Sequence, residues 1–381
     1  MKSTTEPVVY RRNLTTGTLS VIPTCSLDTL DELFEIAERR NPKRAFLFVS
    51  KVLGRHIPVQ PKLMRKTYQQ LCQQFPSTLE GPVLFIGMAE TAVGLGAGVF
   101  DEARKHYKDS VYLTSTRHPV EGGELLCEFK ENHSHVTDHL LYLPHDPELR
   151  RRVLHAQTVV LVDDEATTGN TFINLLCALR DAGGLTEIKQ VIAVTLTDWS
   201  GDALQERSPL PIRTLSLVQG QWQWQQNKDA PVPIMPNVNI TGTGHFPITG
   251  KQSWGRLGIA APAGDLGRHI QASSDEKILV LGSGEFVWEP FLLAERLEQQ
   301  GAEVKYSSTT RSPISVNYAI QSAIAFKDNY GLGIPNFVYN VAHQHFSRII
   351  LCIETPKESV DPVLLEALNK VAPIVEVLSY E

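Results

Sequence analysis

Two adjacent carboxylates and a hydroxyl-rich turn stand together in residues 159–171, which read VVLVDDEATTGNT. The first four residues are apolar and mostly β-branched, which is typical of a buried parallel strand. Asp163 and Asp164 follow this strand, and a turn of small residues leads from them to a helix start. The carboxyl edge of a parallel sheet is where α/β proteins bind ligands. The segment therefore predicts a site for a ligand that carries hydroxyl and phosphate groups.

Each residue type in this turn has a chemical use. Unpaired N–H groups and the positive dipole end of a helix N-terminus bind phosphate, and Gly169 can adopt the positive φ that lets the backbone approach it. Carboxylates accept hydrogen bonds strongly from sugar hydroxyls, so we expect Asp163 and Asp164 to bind a ribose diol. The alternative is a surface turn whose aspartates only cap the helix. The residues expected to bind the phosphate are Glu165, Ala166, Thr167, Thr168, Gly169, Asn170 and Thr171.

Basic residues upstream of this turn are further candidates for ligand binding. Arg117 follows a predicted strand and could neutralise a phosphate-type anion, although a solvated surface arginine is the alternative. Lys51, Arg55 and His56 surround a glycine turn. We interpret these three as a positively charged hood over the nucleophile or the pyrophosphate, and a turn with solvated charges is an equally good interpretation.

A histidine-rich stretch lies in residues 121–139, after Arg117. Its position after Arg117 resembles that of the mobile loop that closes over phosphoribosyltransferase active sites and excludes water, so His133 and His135 are assigned to such a loop. A purely structural role is an alternative. The histidine spacing would also suit a transition metal, but such spacing is common by chance, and we expect no dedicated protein metal site.

The pattern of predicted elements indicates an α/β fold with a mostly parallel sheet flanked by helices. Residues 229–267 are rich in proline and glycine, so we divide the chain into a domain at 1–228, a linker at 229–270 and a smaller α/β domain at 271–381. The predicted strands are 45–49, 83–86, 110–113, 158–162, 190–197, 278–281, 348–353 and 374–378. The predicted helices are 27–39, 95–106, 171–180, 289–300 and 362–371.

Composition narrows the range of partners. The 381 residues carry a net charge of -6, so no overall basic field favours nucleic acid or a membrane surface. No run reaches the roughly 18 apolar residues of a membrane span, and the first residues lack a signal-peptide pattern, so we expect a cytoplasmic protein. The five cysteines are scattered, which argues against disulfides and structural zinc.

The strand-DDEATTGNT-helix unit resembles the signature of type I phosphoribosyltransferases. The stretches FLFVSKVLGRHIPV, FIGMAETAVGLG, YLTSTRHPV, ENHSHVTDH and TRSP at 310–313 resemble more closely the orotate-phosphoribosyltransferase-like family with a C-terminal TRSP domain. That family occurs in bacterial tellurite-resistance and stress-response gene clusters. The resemblance implies that Ala89, Glu90 and Thr91, with Arg117, bind pyrophosphate.

The resemblance also implies an activity, the transfer of phosphoribose from phosphoribosyl pyrophosphate (PRPP) to a nitrogen nucleophile of a small base-like acceptor. Asp163, Asp164 and Arg117 would be the catalytic residues, magnesium would bind with PRPP, and the product would be nucleoside-like. We expect a homodimer. The alternatives are a non-catalytic PRPP or nucleotide sensor and a phosphorylase or nucleoside-cleaving enzyme that uses the same pocket.

An internal similarity links the two halves. Residues 83–90 parallel 278–285, and TRHP at 116–119 parallels TRSP at 310–313. Residues 159–164 can be laid on 349–354, but Ile353 replaces the first aspartate and no phosphate loop follows. The second half is therefore interpreted as a degenerate repeat that completes the site, binds another ligand or mediates assembly, against the alternative of chance similarity.

Overall fold

The computed structural model describes residues 9–41, 44–130, 139–231, 234–238, 240–250, 254–261 and 263–380. The helices are α1 (Leu27–Leu33), α2 (Pro61–Cys72), α3 (Val93–Ala103), α4 (Pro147–Leu154), α5 (Asn170–Asp181), α6 (Ala203–Arg207), α7 (Trp288–Gln299) and α8 (Pro362–Asn369). The strands of the first half are β1 (Tyr10–Leu14), β2 (Gly17–Pro23), β3 (Phe34–Glu38), β4 (Phe46–Ser50), β5 (Val83–Gly87), β6 (Ser110–Thr114), β7 (Val120–Glu121), β8 (Glu124–Phe129), β9 (His139–Leu143), β10 (Thr158–Val162), β11 (Glu165–Ala166), β12 (Gln190–Asp198) and β13 (Ile212–Gln226). Those that follow are β14 (Ile248–Thr249), β15 (Lys277–Gly282), β16 (Glu303–Ser308), β17 (Ala323–Lys327), β18 (Pro335–Tyr339), β19 (Arg348–Ile353) and β20 (Ile374–Ser379).

A mostly parallel sheet forms the centre of the first half, with the strand order β1-β2-β13-β12-β10-β5-β6. Strand β10 lies parallel between β5 and β12, and all five of its residues are buried. Such burial on both faces explains its unbroken apolar sequence. The α/β fold with a parallel sheet and flanking helices, predicted from the sequence, is confirmed.

The last strand of the first half, β13, extends this sheet by antiparallel pairing, which the sequence did not predict. Strand β13 is 15 residues long, and its second half pairs antiparallel with β2, which in turn pairs with β1. Trp222 and Trp224 of β13 pack against Phe46 of β4, with ring centroids 4.9 and 5.1 Å apart. The antiparallel extension therefore covers the strand pair formed by β3 and β4.

The predicted helix over 27–39 is wrong in its second part, because α1 ends at Leu33 and residues 34–38 form β3. Phe34 takes an extended backbone and pairs antiparallel with Ser50 of β4. The apolar residues 30, 33, 34 and 37 fit one helix face. Phe34 and Ile36, however, are two positions apart and therefore also fit one face of a strand. Pairing with β4 decides between these patterns, and a local periodicity contains no information about that pairing.

A second, all-parallel sheet lies in the C-terminal half, with the order β16-β15-β19-β20. Leu279 and Leu281 of β15 and Ile349 and Leu351 of β19 are fully buried in its core. The helix α7 packs on β15 and β16, and α8 packs near β20. The predicted strands at 348–353 and 374–378 match β19 and β20 to within one residue.

The two halves share one hydrophobic core. Helix α7 of the C-terminal half packs against α2 and α3 of the first half. Its Trp288 and Phe291 are almost fully buried and lie within 6.3 Å of the Tyr68 ring on α2, measured between ring centroids. Next to them Arg65 binds carboxylates of both halves, Asp101 at 2.8 Å and Glu295 at 2.8 Å. The halves should therefore unfold together.

Among the described residues, none of the helices combines the length and the apolar character that a membrane crossing needs.

Phe291→Ala tests the shared core. We expect it to lower the free energy of unfolding by about 3–5 kcal/mol, because it removes a buried ring between Trp288, Tyr68 and Tyr306. Urea unfolding followed by tryptophan fluorescence and by far-UV circular dichroism should show one transition that shifts equally for both signals. Two separable transitions, of which only one moves, would contradict the shared core.

Candidate active site

Three loops meet at one edge of the parallel sheet. Strands β5, β6 and β10 end in register, since Gly87 pairs with Thr114 on one side and with Val162 on the other. Hydrogen bonds tie the loops together just beyond these ends. The N–H of Met88 donates to Val162 O at 3.0 Å, and the N–H of Ser115 donates to Gly87 O at 3.0 Å. The loops that carry the predicted site residues are thus neighbours in space.

The paired acids begin the loop after β10. Asp163 and Asp164 are both half-buried. The N–H of Asp163 donates to Val194 O at 3.0 Å, and the carbonyl of Asp164 accepts from Leu196 N at 3.1 Å, so β12 fixes their backbone. Burial raises the pKa of the Asp164 carboxyl, and the neighbouring Glu165 raises it further. Carboxyl groups with shifted pKa values are frequent at functional sites.

The turn after the acids has the geometry that a phosphate needs. Gly169 adopts φ +72° as the residue before α5, where an added Cβ would overlap the Leu204 side chain. Within the described part of the chain, no hydrogen bond engages the backbone N–H groups of Thr167, Thr168, Gly169 and Thr171. Such donors at the N-terminus of a 12-residue helix are groups that can bind an anion.

Glu165 differs from the other residues of this turn. Its carboxylate is bound by Arg44 Nη2 at 2.7 Å, and Arg44 Nη1 reaches Thr167 Oγ1 at 3.5 Å. The guanidinium of Arg44 also lies 4.6 Å above the Phe46 ring. The sequence analysis assigned no role to Arg44. The sequence signal for a residue such as Arg44 was Glu165, because a neighbouring cation stabilises a carboxylate in a turn that is proposed to bind phosphate.

The loop after β5 is held by both halves of the protein. The N–H of Ala89 donates to Ser115 Oγ at 2.9 Å. The Glu90 carboxylate accepts from Thr310 Oγ1 at 2.8 Å, and Thr91 is half-buried beside it. Arg55 donates to Glu90 O at 2.6 Å.

Arg117 lies in the third loop, directly after Thr116. Its side chain is buried, and its backbone N–H donates to the Glu285 carboxylate at 2.8 Å. The hydroxyl of Thr116 lies 2.6 Å from the other oxygen of the same carboxylate. A residue of the C-terminal half therefore fixes the backbone of the predicted pyrophosphate loop.

Comparisons with known proteins give a family for this geometry. A family model described as phosphoribosyl transferase matches residues 33–221, and a model for the TRSP domain C-terminal to it matches residues 243–368. The chain belongs to this phosphoribosyltransferase family. A search of the curated proteins found no match.

Solved structures resemble half of this phosphoribosyltransferase. The adenine phosphoribosyltransferase of Rhodothermus marinus is 18% identical, with 51% of this chain and 99% of that chain covered and a TM-score of 0.32. That of Trypanosoma brucei, in complex with AMP, pyrophosphate and ribose-5-phosphate, is 11% identical, with 50% and 78% covered and a TM-score of 0.34. That of Thermoanaerobacter pseudethanolicus is 18% identical, with 50% and 99% covered and a TM-score of 0.34.

The hood assignment of Lys51, Arg55 and His56 stays a prediction, whereas the alternative of solvated charges does not hold for Arg55 and His56. Both are buried, and Arg55 Nη1 donates to Gly284 O at 2.8 Å and Thr309 O at 2.7 Å. Burial, together with the nearby charge of Arg55, lowers the pKa of His56 to about 3. Lys51 lines a different cavity of about 460 Å³ with Arg12 and Lys305. His133 and His135 lie outside the described residues.

Three functional candidates escaped the sequence analysis because long-range folding brings them together. Arg256 is fully buried and binds Glu354 through two hydrogen bonds of 2.8 Å, and Glu285 at 2.9 Å. Although burial raises the pKa of the Glu285 carboxyl, His118, Arg256 and the Arg117 N–H lower it to about 2. The sequence signal for Glu285 was the internal similarity between the halves, which aligns it with Glu90. Among the described residues, no group of three or more His, Cys, Asp or Glu side chains is arranged to hold a metal ion.

Gly169→Ala tests the phosphate turn, with Gly184→Ala as the matched control. Both glycines have positive φ, +72° and +67°, but only Gly169 faces Leu204, whereas Gly184 faces open space. Backbone strain should cost each variant about 1 kcal/mol of stability. We expect Gly169→Ala alone to displace the turn and to weaken PRPP binding at least about tenfold, measured by isothermal titration calorimetry. Equal PRPP affinity in both variants would contradict the assignment.

His118→Phe tests the buried histidine beside Arg117. Burial lowers the pKa of His118 to about 3, with Glu285 opposing and Arg311 adding to the shift. An unfolded histidine takes up a proton below about pH 6.5, so the folded state loses stability as the pH falls from about 6.5 towards 3. Phenylalanine keeps an aromatic ring that can stack on Tyr330, and it has no group that takes up a proton in this pH range. The slope of unfolding free energy against pH should drop by about 1.4 kcal/mol per pH unit between pH 6 and 4, in urea titrations. An unchanged slope would contradict a neutral His118.

Proposed function

We propose that this phosphoribosyltransferase transfers the phosphoribosyl group of PRPP to a nitrogen atom of a small base-like acceptor and releases pyrophosphate. The observation that carries the proposal is the register of β5, β6 and β10. It brings the paired acids, the phosphate turn and Arg117 to one edge of the sheet. PRPP carries a ribose diol, a 5′-phosphate and a pyrophosphate, and each of these groups has a matching loop.

The 5′-phosphate fits the turn at residues 165–171. The N–H groups of Thr167, Thr168, Gly169 and Thr171 are the proposed donors, and the N-terminus of α5 adds its dipole. Glu165 is better assigned to holding Arg44 near this turn than to contacting phosphate, because two negative groups repel each other. Arg44 then supplies positive charge beside the 5′-phosphate.

The ribose hydroxyls fit the carboxylates of Asp163 and Asp164, which accept hydrogen bonds from them. The transfer breaks the bond between the anomeric carbon and the pyrophosphate oxygen and forms a bond from that carbon to the acceptor nitrogen. The sugar has oxocarbenium character in between, so nearby carboxylates stabilise its positive charge. Ala89, Glu90, Thr91 and Arg117 are the proposed binding residues for the leaving pyrophosphate, whose charge Arg117 would neutralise.

Magnesium fits this arrangement as an ion that binds together with PRPP. Mg²⁺ prefers oxygen ligands and is usually held by one or two carboxylates plus substrate phosphates. Asp163 and Asp164 offer that donor set through their half-buried carboxylates. When bound, the ion would neutralise pyrophosphate charge as it leaves. The role in nucleoside-like synthesis, stress response and tellurite resistance is supported by the family resemblance.

Incubation with radiolabelled PRPP, Mg²⁺ and a fractionated metabolite extract tests the proposal. We expect pyrophosphate release that depends on one fraction and a labelled nucleotide-like product in that fraction. Tight PRPP binding with no turnover in any fraction would instead identify a non-catalytic nucleotide-binding regulator. Phosphate-dependent cleavage of nucleosides would identify a phosphorylase.

Asp164→Asn tests the assignment of the acids. The amide keeps the size of the side chain but removes its charge, so turnover should fall by at least about 100-fold while the fold stays intact. Asp181→Asn, at the exposed end of α5, is the matched control and should retain wild-type turnover. The measurement is pyrophosphate release under saturating PRPP, with circular dichroism to verify folding. Unchanged activity in Asp164→Asn would refute the assignment.

A further inference from the structure

The two sheets have the same topology. The order β6-β5-β10-β12 of the first half recurs as β16-β15-β19-β20, and every pairing in both sets is parallel. An antiparallel hairpin follows the second strand in each half, β8 with β9 and β17 with β18. The agreement thus covers four strands, a hairpin and the two helices that connect corresponding strands, α3 and α5 in the first half and α7 and α8 in the second.

The correspondence extends to single hydrogen bonds. The hydroxyl of Tyr112 on β6 donates to Val93 O at 2.9 Å, and that of Tyr306 on β16 donates to Val287 O at 3.0 Å. The hydrogen bond between the loops that follow the first and the second strand recurs as well. The N–H of Ala89 donates to Ser115 Oγ at 2.9 Å, and that of Gly284 donates to Thr309 Oγ1 at 2.8 Å.

Each sheet edge is covered by a segment that contains a Gly-Arg pair. Ile259 pairs with Tyr112 on the edge strand β6, and Val59 pairs with Tyr306 on the edge strand β16. The glycines of these pairs, residues 54 and 255, both have positive φ. The arginines that follow them, Arg55 and Arg256, both enter the boundary between the halves.

The second half has closed the pocket that corresponds to the PRPP site. Glu354 stands in the place of the second acid, Asp164, and it is occupied by Arg256 and by the Tyr330 hydroxyl at 2.7 Å. The cavity beyond β15 and β19 has a volume of about 10 Å³, which is too small for more than one water molecule. A short 3₁₀ turn, Lys357–Ser359, stands where the phosphate turn would begin.

The two halves exchange equivalent contacts across their boundary. Glu90 of the first half accepts hydrogen bonds from Thr310 Oγ1 at 2.8 Å and from Arg311 N at 3.4 Å. Glu285 of the second half, in turn, binds the Thr116 hydroxyl at 2.6 Å and Arg117 N at 2.8 Å. A glutamate of each half thus holds the Thr-Arg loop of the other half.

We propose that the C-terminal half is a degenerate repeat of the transferase domain, and that its Glu285, held by Arg256, positions the Thr116–Arg117 loop for pyrophosphate. Glu285 is a positioning residue, since it contacts the loop and not the substrate. The proposal rests on the proposed function for the role of Arg117. Arg256 connects the closed pocket to the open one, because its Nη2 binds both Glu354 and Glu285.

The charge of Glu285 explains how this positioning works. A carboxylate that accepts from a backbone N–H, a hydroxyl and a guanidinium is fixed in one orientation by three directional bonds. The backbone of Arg117 is therefore set before PRPP arrives, and the side chain needs less ordering on binding. Small displacements of such a group are expected to reduce binding and turnover strongly.

Glu285→Gln tests the proposal, with Glu295→Gln as the matched control. Glu295 also joins the halves, by binding Arg65 at 2.8 Å, but it lies on α7 outside the three loops. PRPP and pyrophosphate affinities, each with Mg²⁺, are measured by calorimetry on full-length proteins. We expect Glu285→Gln to weaken both affinities about 10- to 100-fold, and Glu295→Gln to bind both ligands as the wild type does.

Hydrogen exchange of the segment around Arg117, measured without ligand, gives a readout that does not depend on PRPP. Glu285→Gln should speed exchange there, and Glu295→Gln should not. Thr116→Val, which removes the hydroxyl that binds Glu285, Arg256 and the His118 backbone, is the second variant if Glu285→Gln fails to fold, and it should act in the same direction.

Wild-type affinity and exchange in Glu285→Gln would overturn the positioning role while leaving the proposed function intact. Equal losses in Glu285→Gln and Glu295→Gln would overturn it too, because they would indicate only general loosening between the halves. A wild-type protein that binds no PRPP would overturn the proposed function, and the exchange measurement would then decide whether Glu285 holds the loop.

Discussion

The buried guanidinium of Arg256 is the interaction on which the relation between the two halves depends. It lies between the carboxylates of Glu285 and Glu354, and all three side chains are almost fully buried. Removing one partner of such a buried group typically costs about 3–5 kcal/mol, because an uncompensated charge is left without water. The residues on which this arginine acts are therefore held in fixed positions. One of them, Thr116, belongs to the loop that also contains Arg117.

Parallel sheets account for the position of the site. Loops at the carboxyl ends of neighbouring parallel strands meet, so residues 87–92, 115–118 and 163–169 converge even though they are far apart in sequence. An edge strand of such a sheet exposes unpaired backbone groups. Here, the segments around Val59 and Ile259 pair with these edges and also bring Arg55 and Arg256 to the loops. One structural solution thus protects the sheets and joins the two halves.

Local sequence signals were sufficient for the elements that local interactions decide. Strand β10, the turn with Gly169 and helix α5 could be predicted because burial, positive φ and helix start are encoded in 13 consecutive residues. Helix α1 was predicted too long because its second part pairs with β4, a contact set by the tertiary fold. Arg256 could not be predicted, because it lies in a proline- and glycine-rich stretch and its partners are 29 and 98 residues away. The burial of Arg55 and His56 was likewise not predictable, because the tertiary fold and not the local basic sequence decides it.

Because the two halves share one topology, a few side chains distinguish the two copies at the acid positions. At the first acid position an aspartate stands in one half and Ile353 in the other, and a buried isoleucine cannot accept a hydrogen bond from a sugar. At the second position both halves keep a carboxylate, but Glu354 is bound by Arg256, whereas Asp164 keeps a raised pKa in its half-buried place. A carboxylate that already has a bidentate guanidinium partner gains little from a sugar hydroxyl. Arg256 therefore binds Glu354 through the same guanidinium that binds Glu285, the residue that contacts the Thr116–Arg117 loop, so one buried group links the second acid position of the C-terminal half to that loop.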